Sequence, residues 1–110
     1  MNVNIVEIKD SCKKSKYAEE ILRCLPEWFG NENALLDYVK GVAPLPFWIA
    51  LNDDEKCIGF ISMKIHNGHT GDIYAFGVLP EYHRKGVGRL LLAKAEEYCK
   101  SNNCKYIIVK

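Results

Sequence analysis

The sequence predicts one mixed α/β domain of the α+β type, with the element order β-α-α-β-β-β-α-β. Three apolar segments follow one another between residues 47 and 78 with only short polar turns between them, which indicates an antiparallel meander. An amphipathic helical segment and a last apolar segment come next. Such a β-α-β unit is expected to have parallel strands. With 110 residues, 48% of them hydrophobic, the chain is long enough to build one core.

The N-terminal third is predicted to form one strand and two helices. Residues 3–8 are β-branched and loosely alternating, which favours a strand. Asp10 or Ser11 can cap the first helix, and Pro26 is expected to end it. Residues 31–40 have the pattern of a second helix. The first helix carries an apolar stripe at helical spacing, made of Tyr17, Ile21, Leu22 and Leu25.

Two adjacent aromatic residues, Trp28 and Phe29, lie in the connector between these helices. In one interpretation, one ring packs on the core and the other covers a loop. In the other interpretation, the two rings line a substrate pocket. The sequence leaves both open, so Trp28 and Phe29 are candidate substrate-binding residues.

The meander is predicted to consist of strands at 47–51, 57–65 and 72–78. Polar turns at 52–56 and 66–71 separate them. A third helix is expected from Gly86 to about Ser101, with Val87, Leu91, Ala95 and Tyr98 on its buried face. Residues 105–110 form the predicted fifth strand.

The net charge of +1, from 15 basic and 14 acidic residues, argues against a general nucleic-acid or membrane surface. No run of about 18 apolar residues is present, so no transmembrane helix is predicted. The N-terminus is polar and lacks the pattern of a signal peptide. We therefore expect a cytoplasmic protein.

The cysteine pattern favours free thiols over a disulfide framework. The count of five is odd and no C-x-x-C occurs. A zinc site built from His66, His69, Cys99 and Cys104 would fit no standard zinc spacing. No metal is predicted.

The segment 73–89 carries the clearest functional signal. It has the pattern of a strand, a short turn and the start of a helix, with Gly86 and Gly88 at the junction. A helix N-terminus presents unpaired N–H donors and partial positive charge, so it binds anions. Arg84, Lys85 and Arg89 add full positive charges. These features predict a cradle for a pyrophosphate group.

Two common phosphate loops fit this segment poorly. The chain has no G-x-x-x-x-G-K-S/T string, which excludes a Walker loop. The dinucleotide fingerprint G-x-G-x-x-G would need a third glycine where Leu91 stands, and it would follow a parallel sheet instead of an antiparallel meander.

The string Val78-Leu-Pro-Glu-Tyr-His-Arg-Lys-Gly-Val-Gly-Arg-Leu-Leu-Leu92 resembles the coenzyme A loop of the GNAT superfamily of N-acetyltransferases. That loop has the pattern Gln/Arg-x-x-Gly-x-Gly/Ala after a strand and a Pro-containing turn. The order of the preceding segments is also similar, so the resemblance covers essentially the whole chain and implies a GNAT-like mixed sheet. Two departures are His83 at the first loop position and the end of the sequence at Lys110. Family members usually continue with a tyrosine-bearing helix and two strands, so the resemblance implies a single, C-terminally short domain over residues 1–110.

The resemblance implies transfer of an acetyl group from acetyl-CoA to a primary amine of a small molecule or protein. The alternative is a non-catalytic module that binds coenzyme A or another protein. The sequence says less about the amine acceptor and about protein partners. Glu27, Glu32 and Asp37 could favour a cationic amine or simply form a solvated face. The apolar edge of the fifth strand predicts a homodimer.

The resemblance also implies roles for individual residues. Phe76, Gly77 and Val78 would run alongside the pantetheine arm, and the N–H of Phe76 or Gly77 would polarise the thioester carbonyl. Asp72 is the candidate general base, with a strand-start residue as the equally open alternative, and Tyr74 is a candidate acid. Weaker catalytic candidates are Glu81, Tyr82 and His83. The cofactor-binding loop comprises His83, Arg84, Lys85, Gly86, Val87, Gly88 and Arg89.

Overall fold

A computed structural model describes residues 2–26, 30–66, 70–102 and 106–108. Eight regular elements follow one another in the predicted order, which confirms the fold class. They are β1 (Asn4–Glu7), α1 (Ser11–Leu22), α2 (Glu32–Gly41), β2 (Phe47–Leu51), β3 (Cys57–His66), β4 (Thr70–Val78), α3 (Val87–Ser101) and β5 (Tyr106–Ile108). A 3-10 turn, Pro80–Tyr82, lies between β4 and α3.

The five strands form one sheet in the order β1-β2-β3-β4-β5. Strands β1 to β4 pair antiparallel with their neighbours, and β5 pairs parallel with β4. Both the predicted meander and the predicted parallel β-α-β unit are therefore confirmed. The parallel pairing places the start of α3 beside the C-terminal end of β4.

Two glycines on neighbouring strands show which helix covers each face. A Cβ atom on Gly77 would lie 3.1 Å from Ile21 and 3.2 Å from Leu25, so this face packs against α1 and the residues after it. A Cβ atom on Gly59 would lie 3.3 Å from Leu91 of α3. Since Gly59 pairs with the residue after Gly77, the two side-chain directions are opposite. The sheet therefore has α1 and α2 on one face and α3 on the other.

The core consists of apolar side chains from both layers and the sheet between them. Phe47 and Phe60 stack at a centroid distance of 5.3 Å. The largest fully buried side chains also include Ile21, Leu22, Ile49, Ile58, Ile61, Met63 and Leu91. On α3, Val87, Leu91 and Ala95 are buried as predicted, whereas Cys99 takes the fully buried place expected for Tyr98.

Polar contacts hold α1 against α2. Asp10 caps α1 by accepting a hydrogen bond from the backbone N–H of Lys13 at 3.0 Å, as the sequence predicts. The Lys14 ammonium donates to the Leu45 carbonyl at 2.6 Å. Arg23 forms ion pairs with Glu19 and Glu32, both at 2.7 Å. The first half of α1 is therefore tied to the segment that follows α2, and the residue after α1 is tied to the start of α2.

Several boundaries differ from the prediction. The predicted turn at 66–71 is shorter, because β3 extends to His66 and β4 already begins at Thr70. Helix α1 ends at Leu22, before Pro26, because the N–H groups of Cys24 and Leu25 bond three residues back instead of four. The described part of β5 is Tyr106–Ile108, within the predicted 105–110. Trp28 and Phe29 lie outside the described residues.

Candidate functional site

Among the described strands, the outer edge of β4 is paired along only part of its length. Pairing between β4 and β5 runs from Thr70 opposite Tyr106 to Asp72 opposite Ile108. From residue 73 to residue 78, β4 pairs only with β3 among the described strands. This leaves a stretch of strand edge that can bind an extended ligand.

A β-bulge lies just past Asp72, the last residue of β4 in the described pairing with β5. Met63 of β3 faces Ile73, and the preceding residue Ser62 faces Ala75, so Tyr74 is the extra residue on β4. A bulge bends its strand and increases the local twist. The bend therefore comes just past the described pairing with β5.

Hydrogen-bond alternation shows which backbone groups face that edge. The N–H of Leu79 donates to the carbonyl of Ile58 at 2.9 Å, so Leu79 faces β3. Along an antiparallel strand, successive residues direct their backbone groups to opposite sides. Gly77 therefore also faces β3, whereas the N–H groups of Phe76 and Val78 face the open side.

The turn after β4 leads the backbone into the start of α3. Arg84 has a φ of 64° and Gly86 a φ of 84°, both in the left-handed region. Gly86 caps α3, and a Cβ atom there would meet nothing within 4 Å. A Cβ atom on Gly88 would lie 3.1 Å from the ring of Phe76. Gly86 thus serves the backbone conformation, and Gly88 makes room for a ring that lines the site.

Three basic side chains surround this helix start. Arg84, Lys85 and Arg89 are exposed. None of the three pairs with a carboxylate in the part of the chain that the structure describes. The Lys85 ammonium lies 5.8 Å from the centroid of the Tyr82 ring. The charges are therefore available to an anion at the N-terminus of α3.

A cleft of about 270 Å³ joins the open edge to the helix start. Its lining consists of Leu25, Phe76, Gly77, Val78, Tyr82, His83, Arg84 and Gly88. Six of these eight are residues that the sequence assigned to cofactor binding. Lys85, Gly86 and Arg89 flank the cleft on the same loop and helix start. The side chain of Val87, the first residue of α3, is buried in the core.

Sequence reasoning gave Leu25 no role in the cleft, and it named Tyr82 only as a weaker catalytic candidate. Leu25 had been assigned to a helical core stripe, and it follows α1 in the fold. The Tyr82 hydroxyl accepts a hydrogen bond from Asn52 Nδ2 at 3.1 Å. Asn52 is 30 positions away in the β2–β3 turn, so no local pattern signals this contact.

The two main catalytic candidates, Asp72 and Tyr74, lie outside the lining of this cleft, whereas the weaker candidates Tyr82 and His83 belong to it. Asp72 is 6% exposed and sits opposite Lys64 on β3. The Tyr74 ring packs edge-on against Tyr38 of α2, with centroids 5.3 Å apart. The Tyr74 hydroxyl contacts Gly41 at the end of α2. Tyr74 therefore packs against α2.

The described ranges contain no cluster of three or more His, Cys, Asp or Glu side chains suited to a metal. His69, Cys104 and the side chain of His66 lie outside them. Over those same ranges no helix has the length and apolar character needed to cross a membrane.

The sequence matches the model of the acetyltransferase (GNAT) family over residues 4–110. The chain belongs to the GNAT acetyltransferase family. This family consists of acetyl-CoA-dependent acetyltransferases, so the resemblance seen in the loop sequence is confirmed.

A curated relative of this GNAT chain is the mycothiol acetyltransferase of Saccharopolyspora erythraea. The two are 29% identical over 66 residues, which is 60% of this chain. The chain spans only 22% of the length of that relative.

Solved structures of the GNAT fold superimpose on nearly the whole chain. A GNAT-family protein of Desulfovibrio desulfuricans gives a TM-score of 0.75 at 17% identity, covering 98% of this chain and 72% of that one. An aminoglycoside acetyltransferase from an uncultured soil sample gives 0.72 at 16% identity, covering 100% and 80%. A third, AAC(6')-Iy in complex with a bisubstrate analogue of CoA, gives 0.72 at 17% identity, covering 100% and 80%. These similarities establish the fold.

Proposed function

We propose that residues 1–110 form an acetyltransferase domain that transfers the acetyl group of acetyl-CoA to a primary amine of a small molecule or protein. The observation that carries this proposal is the continuity between the open edge of β4 and the basic N-terminus of α3. The amide groups of the pantetheine arm can pair with the open edge of β4, and the pyrophosphate can bind at the N-terminus of α3.

The residues of the cleft suit acetyl-CoA. The open space beside Gly86 and the backbone N–H groups of residues 84–89 would hold the pyrophosphate, with Arg84, Lys85 and Arg89 adding charge. The edge formed by Phe76 and Val78 would pair with the pantetheine arm. Of the two candidate donors to the thioester carbonyl, Phe76 is favoured, because its N–H faces the open side and that of Gly77 faces β3.

Proton transfer is assigned to Asp72 as general base. It is a carboxylate on β4 at the last described residue pair between β4 and β5, next to the bulge. The amine must lose a proton on acetylation, and a carboxylate can accept it directly or through water. The packing of Tyr74 against Gly41 supports a structural role for this residue instead of the role of an acid.

The same packing favours a second candidate function, a non-catalytic coenzyme A-binding module, because it turns the Tyr74 hydroxyl toward α2 and leaves the acid unassigned. Measuring thiol release from acetyl-CoA with a panel of primary amines separates the two candidates. Turnover that falls at least tenfold in Asp72→Asn supports the enzyme. Coenzyme A binding without turnover for any amine supports the module.

The cleft itself is tested by placing a carboxylate where the phosphates are expected. Gly86→Asp directs the new side chain into the open space beside α3 and should abolish coenzyme A binding in calorimetry. Gly86→Asn is the matched control, because it has the same size and the same backbone strain at a φ of 84° but carries no charge. Unchanged affinity in Gly86→Asp would rule out this cleft as the cofactor site.

Two further expectations belong to this proposal. The protein is expected in the cytoplasm, and it is expected to form a homodimer through the edge of β5. Sedimentation at several protein concentrations tests whether the homodimer forms. A monodisperse monomer at every concentration would contradict it.

A further inference from the structure

The ring of His83 is bound to the end of β4. Its Nε2 atom lies 2.8 Å from the carbonyl oxygen of Val78. A carbonyl can only accept, so Nε2 carries the proton and donates it. The bond spans the 3-10 turn Pro80–Tyr82 and joins the last residue of β4 to the first residue of the loop.

The acceptor of this bond belongs to the open edge of β4. Leu79 faces β3, so the backbone groups of the preceding residue, Val78, face away from β3. An extended ligand that paired with this edge could otherwise use the Val78 carbonyl as its last acceptor. His83 occupies that carbonyl from the loop side.

The bond also holds the backbone directly before a strained residue. Arg84 has a φ of 64°, which residues other than glycine rarely adopt unless the surroundings hold them there. His83 is bound to Val78, and the neighbouring Tyr82 is bound through its hydroxyl to Asn52. Both residues before Arg84 are thus fastened to the sheet and its turns.

We propose that His83 is a positioning residue for the cofactor and not a ligand of its phosphates. By occupying the Val78 carbonyl, it leaves the Val78 N–H as the last group of the β4 edge that is open to the pantetheine arm, and it sets where the pyrophosphate turn begins. This inference rests on the proposed function of the cleft.

Two amide variants test the contact, because their donors stand at different distances from the backbone. The amide of His83→Gln reaches the place of Nε2, whereas that of His83→Asn reaches only the place of Nδ1. We expect the Gln variant to keep most of the affinity for coenzyme A, and the Asn variant to lose about fivefold. The same variants are titrated with adenosine 3',5'-bisphosphate, which has phosphates and no pantetheine arm. Its affinity should change less than twofold in either variant.

If His83 bound the cofactor phosphates directly, its variants would behave differently. Gln and Asn would then weaken coenzyme A equally, or both ligands would lose affinity to the same extent, and either result overturns the proposal. Melting temperatures of the ligand-free proteins measure the hydrogen bond between residue 83 and the Val78 carbonyl without any effect of ligand. The Asn variant is expected to melt about 4 °C below the Gln variant. If the wild-type protein binds neither ligand, the positioning role fails together with the proposed function. A lower melting temperature of the Asn variant would then show that the contact itself is real.

Discussion

The hydroxyl group of Tyr74 occupies the space that a Cβ atom on Gly41 would need. Gly41 is the last residue of α2, where alanine would ordinarily favour the helix by about 1 kcal/mol. Here the new methyl group would collide with a ring that Tyr38 holds from the side. We therefore expect Gly41→Ala to lower the free energy of unfolding by about 1–3 kcal/mol in urea denaturation.

A double-mutant cycle isolates this contact. Tyr74→Phe removes the hydroxyl but leaves the ring carbon that lies 2.7 Å from the same position. The Phe variant should therefore restore only part of the stability of Gly41→Ala, and Tyr74→Leu should restore more. Additive effects of the two substitutions would show that the residues do not interact.

Lys14 is expected to contribute more to stability than its neighbour Lys13. The Lys14 side chain is buried and donates to the carbonyls of Leu45 at 2.6 Å and Ala43 at 3.4 Å. In Lys14→Met the Leu45 carbonyl loses this charged donor, so the free energy of unfolding should fall by about 1.5–3 kcal/mol. Lys13→Met, at an exposed position in the same turn of α1, is the matched control and should change it by less than about 0.5 kcal/mol. Equal losses in the two variants would contradict this assignment.

The element order could be predicted because it depends on local periodicity and turn residues. The hairpin turn at 52–56 is an example, since Asn52 accepts hydrogen bonds from the backbone of Asp54 and Lys56 within the turn itself. The loop at Gly86 was also readable, because glycine at a strand-to-helix junction serves a local backbone requirement.

Features that depend on pairing between distant residues could not be predicted. The bulge at Tyr74 exists only relative to Ser62 and Met63 on the neighbouring strand. The direction of the Tyr74 side chain likewise depends on α2, more than 30 positions earlier in the sequence. This is why the loop residues meet in one cleft, whereas the catalytic residues chosen from strand position lie outside its lining.

Cys57 should be the least reactive of the described thiols near the surface. Burial raises the pKa of its thiol from 9.0 to about 11. Below pH 9 it therefore has about 100-fold less thiolate than an ordinary cysteine, and thiolate is the reactive form. In a mass-spectrometric time course with iodoacetamide at pH 8, the exposed Cys12 and Cys24 should be modified well before Cys57. Modification of all three at one rate would contradict the raised pKa.

The raised pKa of Cys57 also predicts that the free energy of unfolding decreases at alkaline pH. Because the folded-state pKa lies above 9.0, the neutral Cys57 thiol stabilises the fold fully below pH 9, and this contribution is lost as the pH rises toward 11. Between pH 8 and pH 10.5 the loss should be at most about 2 kcal/mol. A Cys57→Ala variant should lack this part of the alkaline destabilisation. Parallel unfolding curves at pH 8 and pH 10.5 for the two proteins measure the difference.

Arg84 combines a strained backbone with a charge at the proposed phosphate site. Its φ of 64° costs an L-residue about 1–2 kcal/mol, and glycine avoids this cost. Arg84→Gly should therefore be about 1 kcal/mol more stable than Arg84→Ala, the reverse of the usual order. Both variants remove the charge, so both should bind coenzyme A several-fold more weakly, with a smaller loss at high salt. Arg84→Lys keeps the charge and the strain, and should retain most of the affinity. An Ala variant as stable as the Gly variant would show that the left-handed conformation is not maintained in solution.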